Sequence, residues 1–278
     1  MQDLIVAAIQ APSVPGDVKA NAETGARLVT EAARRGARIA VLPELFLPAY
    51  HMTALEDLAT DVAPDADGTV HDERLQPLRE AAADTLILVG AAVRRNGKRT
   101  IGMLLADRGG RIRHVYDKQF LCGPHEKRLF EPGERGATLH AGEWRFGLGI
   151  CYDGCFPEHA RDAQADDVHG MLYCSAYAVG SEHRRDVYYA ARALDNTGYV
   201  VFANAVDGED PWRCNGGAAI YEPEGRALVK GPDTGESVEV AALTEARLLH
   251  TRGGHPMLAE RPAPMWVAAG NPRDQVWT

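Results

Sequence analysis

The chain has no Cys-x-x-Cys pair, no long apolar run and no basic stripe, and each absence narrows what it can be. Its five cysteines, Cys122, Cys151, Cys155, Cys174 and Cys214, are odd in number and irregularly spaced. Neither a zinc site nor a redox dithiol is indicated, and this usage fits a reducing cytoplasm. No stretch approaches the ~18 apolar residues that a membrane span needs. The short apolar run in MQDLIVAAIQAP has no basic segment before it, so it reads as a first strand and not as a signal peptide. Lysine and arginine number 30 against 39 acidic residues, a net charge of -9 with the acids scattered, which points to no nucleic-acid partner and no anionic membrane surface. No linker, repeat or low-complexity segment divides the 278 residues, and 45% hydrophobic content suffices for a sizeable core. One α/β domain over 1–278 is the expectation.

What is present is an alternation of strands and helices. LIVAAI at 4–9 reads as a buried strand. A helix follows over 19–35, with Ala22, Ala26, Val29 and Ala33 at helical spacing and Gly36 at its end, and RIAVLPE makes a second strand. That order implies a parallel pair with a right-handed crossover. Residues 50–68 read as irregular or partly helical, and a helix follows at 73–83. TLILVGAAV is a strand turning at Asn96-Gly97 into another at 100–106, and a third spans 111–116, so antiparallel pairs sit inside a chain that began as βαβ. The stretch 118–133, rich in glycine, proline and charge, reads as a loop. A strand then runs into Cys151, followed by a helix near Glu158, the strand GMLYCSA, and a helix over 182–196 with Val187, Ala190, Ala191 and Leu194 on one face. YVVFANA, a hairpin turning at Glu224-Gly225 and SVEVAAL are further strands. The proline-rich end, 250–278, shows little periodicity and reads as a tail packing at a subunit interface.

Three strand-to-loop junctions carry a reactive residue: Glu44 in VLPELF, Lys118 in VYDKQFL and Cys151 in GICYDGCFPE. Each alone has an ordinary reading, as a helix-start acid, a solvated lysine or a buried structural thiol. Sites in open α/β sheets gather beyond the carboxyl ends of strands, so the three can converge in one pocket. There the chemistry is coherent: a carboxylate takes the thiol proton and an ammonium stabilises negative charge.

These motifs, in this order, resemble the nitrilase superfamily, carbon–nitrogen hydrolases with a Glu-Lys-Cys triad. CYDGCFPE is close to the family pattern CYDxxFPE, and PELF, YDKQFL, HEKRLFEPG and RALDNTGYVVFAN fit corresponding blocks. The resemblance implies Glu44 as general base, Lys118 as oxyanion stabiliser, Cys151 as nucleophile and Glu126 as the second glutamate beside the lysine. It implies an α/β fold of four layers, α-β-β-α, with mixed central sheets, paired through outer helices into a homodimer or higher assembly, with no metal and no cofactor. Asp153, Glu158, Arg161, Arg192 and Asn196 then hold the cysteine turn. Tyr152-Asp153 follows the cysteine where nitrilases usually have Trp-Glu, and the arginine cluster of D-amino-acid carbamoylases is absent. A small linear amide releasing ammonia or an amine is therefore the expected substrate, with an N-carbamoyl compound next. A nitrilase, an amide-forming acyltransferase and a non-catalytic binding module are the remaining alternatives. Substrate contacts are expected from Tyr152, Tyr50, His125 and Tyr177. His51, His183 and Trp212 are further wall residues. Arg184 and Arg185 read equally as anion ligands or as a solvated helix start.

Overall fold

The structure is a computed structural model that describes residues 1–260 and 272–278. Its first strand, β1 (Leu4–Ala11), alternates between two cores: Val6 and Ala8 face one, Ala7, Ile9 and Ala11 the other. A strand buried on both faces reads in sequence as a continuous apolar run. Helix α1 (Val18–Arg34) starts at Asp17, whose carboxylate accepts the Ala20 N–H at 3.0 Å. It lays Val18, Ala22, Leu28, Val29 and Ala32 on the second core. Each fully buried leucine or valine there contributes about 1.5–3 kcal/mol of transfer free energy. β2 (Ile39–Val41) then runs parallel to β1.

Two 3₁₀ turns lead to β3 (Thr69–Val70), α2 (Gln76–Ala81), β4 (Leu86–Arg95), β5 (Lys98–Ala106) and β6 (Ile112–Asp117). β4 and β5 join at Asn96-Gly97, with φ of 52° and 78°, the left-handed pair that a two-residue hairpin turn needs. The stretch 118–133 is not simply a loop, because it contains α3 (Gly123–Leu129). Gly123-Pro124 reads as loop punctuation, yet proline in a first turn is also a helix start. An unanticipated strand, β7 (Gly136–Ala141), precedes β8 (Trp144–Ile150). The chain continues through α4 (Pro157–Ala163), β9 (Gly170–Ser175), α5 (Glu182–Asp195), β10 (Tyr199–Asp207), β11 (Cys214–Asn215), β12 (Ala219–Tyr221), β13 (Ala227–Lys230), β14 (Ser237–Leu243), α6 (Glu245–Gly254), α7 (Met257–Glu260) and β15 (Arg273–Trp277).

The main strand order is β15-β7-β8-β9-β10-β1-β2-β4-β5-β6-β3, with β14 antiparallel to β1. The sheet curls until its two halves face each other: Ile101, Met103 and Leu105 of β5 share a core with Phe146, Leu148 and Ile150 of β8. α1 and α2 cover the outside of one half, and α4 and α5 the outside of the other. This is the four-layer α-β-β-α sandwich with mixed strand directions.

One expectation is corrected. On α5 the buried face holds Arg185, Tyr189, Arg192 and Ala193, whereas Val187 and Leu194 are 50% and 46% exposed. The Arg185 guanidinium can be buried because it donates to the Asn215 and Gly216 carbonyls, both at 2.8 Å, and pairs with Asp233. The C-terminal stretch is regular where described: it holds the end of α6, α7, and β15 laid parallel to β7 of its own chain. The rest of that expected tail, 261–271, lies outside the described residues. No described helix is long and apolar enough to cross a membrane.

Candidate active site

Glu44, Lys118 and Cys151 each follow the carboxyl end of a strand: β2, β6 and β8. Glu44 is held by its N–H, which donates to the Ser175 carbonyl at 3.2 Å. Gly90 on β4 presses against this turn; a Cβ there would lie 2.4 Å from the Leu45 nitrogen and 2.7 Å from the Glu44 Cα. Lys118 continues the β5–β6 ladder through its N–H to the Ile101 carbonyl, 2.9 Å, and its own carbonyl accepts from Gly133 N–H at 2.7 Å. Cys151 opens a 3₁₀ turn (Cys151–Cys155) in a left-handed conformation, φ 44°. For a non-glycine residue that costs about 1–3 kcal/mol and persists only where its surroundings over-determine it.

Those surroundings are visible. Asp153, fully buried, accepts the Ile150 N–H at 2.9 Å, the Phe120 N–H at 2.9 Å, the Gln119 N–H at 3.2 Å and the Tyr116 hydroxyl at 2.7 Å. One carboxylate thus ties the cysteine turn to the segment just after Lys118. Tyr189 donates its hydroxyl to the Cys151 carbonyl at 2.9 Å.

At the centre lies the Lys118 ammonium, wholly buried, 2.6 Å from Glu44 Oε1 and 2.8 Å from both oxygens of Glu126. Glu126 is fixed by the Tyr50 hydroxyl at 2.6 Å and by the N–H of Cys122, the residue that caps the start of α3, at 2.7 Å. The second oxygen of Glu44, Oε2, is buried and has no ordinary hydrogen-bond partner. The Cys151 thiol nevertheless faces this carboxyl closely enough to favour its charged form.

Burial sets the protonation states. It raises Glu44 to about 7; Lys118 opposes the rise and the like charge of Glu126 adds to it. For Lys118 burial works against the charge, but Glu44 and then Glu126 outweigh it and hold the ammonium well above the usual lysine range. Burial, helped by Glu44, pushes the Cys151 thiol well up against the pull of Lys118 and the Ala176 N–H, so the resting sulfur is a neutral thiol. The trio is therefore a thiol, a carboxylate able to exchange a proton near neutrality, and a fixed positive charge. The first N–H groups of the 3₁₀ turn, Tyr152's among them, have no acceptor within that turn. Among the described residues no group of three or more His, Cys, Asp or Glu side chains is arranged to hold a metal ion.

The expected wall residues separate. Glu44, Tyr50, His51 and Trp212 line one cavity of about 330 Å³. His125, exposed, presents its ring edge-on to Trp212 at 4.9 Å. The Tyr177 hydroxyl sits 3.2 Å from Cys155 Sγ. The Tyr152 side chain points elsewhere, into a groove with Phe120 and Phe156, leaving only its backbone for the site. Arg185 is committed to the backbone and is no anion ligand, while His183 and Arg184 are exposed at the start of α5. Another cavity, of about 380 Å³ between β6 and β15, contains none of these groups and carries ion pairs such as Lys98–Glu134. The sequence did not expose Gly90, the reach of Asp153, or Asp207 and Glu209 at the rim of the Glu44 cavity. An aspartate two residues after a strand-end cysteine is the one local signal, since only a short acceptor there reaches back to the preceding N–H.

Comparison with known proteins gives the family. The family model for carbon-nitrogen hydrolase matches residues 5–252, and the chain belongs to that family of enzymes. A Pseudomonas protegens protein described as the hydrolase in pqqF 5′ region is 30% identical over 259 residues, 92% of this chain and 88% of that protein. An omega-amidase of Saccharomyces cerevisiae is 25% identical over 279 residues, covering 94% of each chain. A 2-oxoglutaramate amidase of Bacillus subtilis is 26% identical over 208 residues, 74% of this chain and 78% of that one. Among solved structures, Saccharomyces cerevisiae Nit3, of the nitrilase superfamily, superimposes with a TM-score of 0.83 at 23% identity over 94% of this chain and 97% of its own. A cysteine-to-alanine mutant of a Nesterenkonia amidase from that superfamily gives 0.76 at 25% identity over 91% and 95%.

Proposed function

We propose that the protein hydrolyses the C–N bond of a small linear amide through a thioester on Cys151. The observation that carries this reading is the buried Lys118 ammonium held between Glu44 and Glu126 beside the Cys151 turn. The amidases among its relatives support it.

Glu44 takes the thiol proton as sulfur attacks the amide carbon. The carbonyl oxygen becomes an oxyanion resting on the Lys118 ammonium and the Tyr152 N–H. On collapse the C–N bond breaks, and Glu44 returns its proton to the leaving nitrogen, which departs as ammonia or an amine. Glu44 then takes a proton from water, whose oxygen attacks the thioester; the C–S bond breaks, the acid leaves and the sulfur regains its proton. Glu126 does not touch the reacting atoms. Through two hydrogen bonds it fixes where the ammonium points.

The test is ammonia release across primary amides, N-carbamoyl compounds and nitriles, with mass spectrometry of Cys151 in single turnover. An acyl adduct on Cys151 and release from an amide are expected. Release from ureido compounds alone would move the reading to a carbamoylase. An adduct that is resolved only when an amine is supplied would make the protein an acyltransferase.

A further inference from the structure

The cavity over Glu44 has an electrostatic character that bears on the substrate. Glu44, 1% exposed, is the one member of the Glu44, Lys118 and Cys151 group on its wall, and its rim carries Asp207, the last residue of β10, and Glu209 on the loop that follows. No lysine or arginine is among the lining residues. Neither rim acid is in an ion pair among the described residues; Asp207 accepts only a 3.3 Å bond from the Gly235 N–H, and the nearby Arg213 is engaged with Asp210. The only basic ring on the wall, His51, uses Nδ1 to accept the Ala54 N–H at 3.3 Å. The same wall carries two aromatic rings, Tyr50 and Trp212, with centroids 6.2 Å apart and planes inclined by 59°. Two tilted aromatic faces below two carboxylates form a receptor for a cation: ring quadrupoles attract positive charge, and rim acids focus it toward the opening.

Resting on the amidase reading above, we infer that the substrate is an amide whose acyl chain ends in a positively charged group, a primary ammonium or a guanidinium. The carboxamide lies at Cys151 and the cation between Tyr50 and Trp212, under Asp207 and Glu209. A volume of about 330 Å³ is at the small end of ligand cavities and suits a short aliphatic chain. A substrate ending in a carboxylate, such as 2-oxoglutaramate, meets two charges of its own sign at the rim and no cation on the wall. The specificity of this chain thus departs from that named for its Bacillus subtilis relative.

Three amides of equal length separate the possibilities: 5-aminopentanamide (cationic), pentanamide (neutral) and 5-amino-5-oxopentanoate (anionic), assayed by ammonia release at low ionic strength. The cationic amide is expected to exceed the neutral one in kcat/KM by on the order of tenfold or more, with the anionic amide poorest. The paired substitution Asp207→Asn, Glu209→Gln should bring the cationic-to-neutral ratio close to one. Turnover of the neutral amide with equal or better turnover of the anionic one overturns the inference and leaves the amidase reading standing. No turnover of any of the three, with no Cys151 adduct, overturns the amidase reading. A second measurement does not depend on turnover: butylammonium should slow alkylation of Cys151 by iodoacetamide, and butyrate should not. Equal protection by both, or protection that persists in the doubly substituted protein, also overturns the inference.

Discussion

At the residue scale the site is a competition between burial and charge. Glu44, raised to about 7 chiefly by burial, must be ionised to take the thiol proton. The kcat/KM for an amide should rise with pH along a one-proton limb centred near 7 and then level; a flat profile from pH 5 to 8 would remove Glu44 as base. The same shift has a stability consequence whose sign is fixed. A carboxyl that binds its proton more tightly folded than unfolded contributes stability in full below the unfolded value, near 4.5, and that stability is lost as pH rises through about 7. Glu44→Gln should therefore abolish turnover yet unfold at higher urea than the wild type at pH 8.5, by about 1–3 kcal/mol. Lys118 keeps both bonds to Glu126 in that variant. Lys118→Ala should lower kcat/KM by on the order of a hundredfold or more, a loss of about 3 kcal/mol of oxyanion stabilisation. It also leaves two buried carboxylates without their shared cation, so it should lose stability where Glu44→Gln gains it. Lys118→Arg should not restore the rate, because a planar guanidinium does not fit the space of an ammonium held by three bonds of 2.6–2.8 Å.

At the scale of elements, position depends on joints that carry no chemistry themselves. Asp153 joins the end of β8 to the residues after β6. Asp153→Asn replaces one acceptor oxygen by a donor facing donors, which costs about 1–3 kcal/mol in a buried site. Its kcat should fall while KM for an amide changes little, and its thermal midpoint should drop; an unchanged kcat in a folded variant would show that the joint does not position the nucleophile. Gly90→Ala pushes a methyl into the Glu44 turn, 2.4 Å from the Leu45 nitrogen, and nothing there is a flexible side-chain end. The expected loss is about 1–3 kcal/mol in denaturant melts together with a lower rate.

At the scale of the molecule, the outer side of α5 leaves apolar surface exposed: Val187 and Leu194 stand about half exposed, with Ala190 and Ala191 partly buried. On an outer layer of the sandwich, a helix that leaves Val187 and Leu194 half exposed suits a second copy of the same chain. Light scattering should give twice the monomer mass at micromolar concentration, and Leu194→Asp should shift it toward the monomer. A wild-type protein of monomer mass would remove the pairing.

The sequence by itself determined what is local. Continuous apolar runs marked strands buried on both faces, Asn96-Gly97 marked a hairpin, and Glu44, Lys118 and Cys151 stood out as reactive residues at strand ends. It even carried Glu126, through a block of recognisable residues. What it could not determine depends on partners distant in the chain. α5 turned Arg185 inward because Asn215, Gly216 and Asp233 complete its hydrogen bonds, and periodicity counts apolar residues without knowing where such acceptors lie. α3 and β7 are short and lean on packing for their stability, so local preference did not mark them. Tyr152 and Tyr50 are both tyrosines beside the site in sequence or space, but only folding decided that one donates to Glu126 and the other faces a separate groove. The rim acids, Asp207 and Glu209, are ordinary residues at and after a strand end until the sheet curls and brings them over Glu44, more than 160 residues away in the chain, because charge acts through space and not along the backbone.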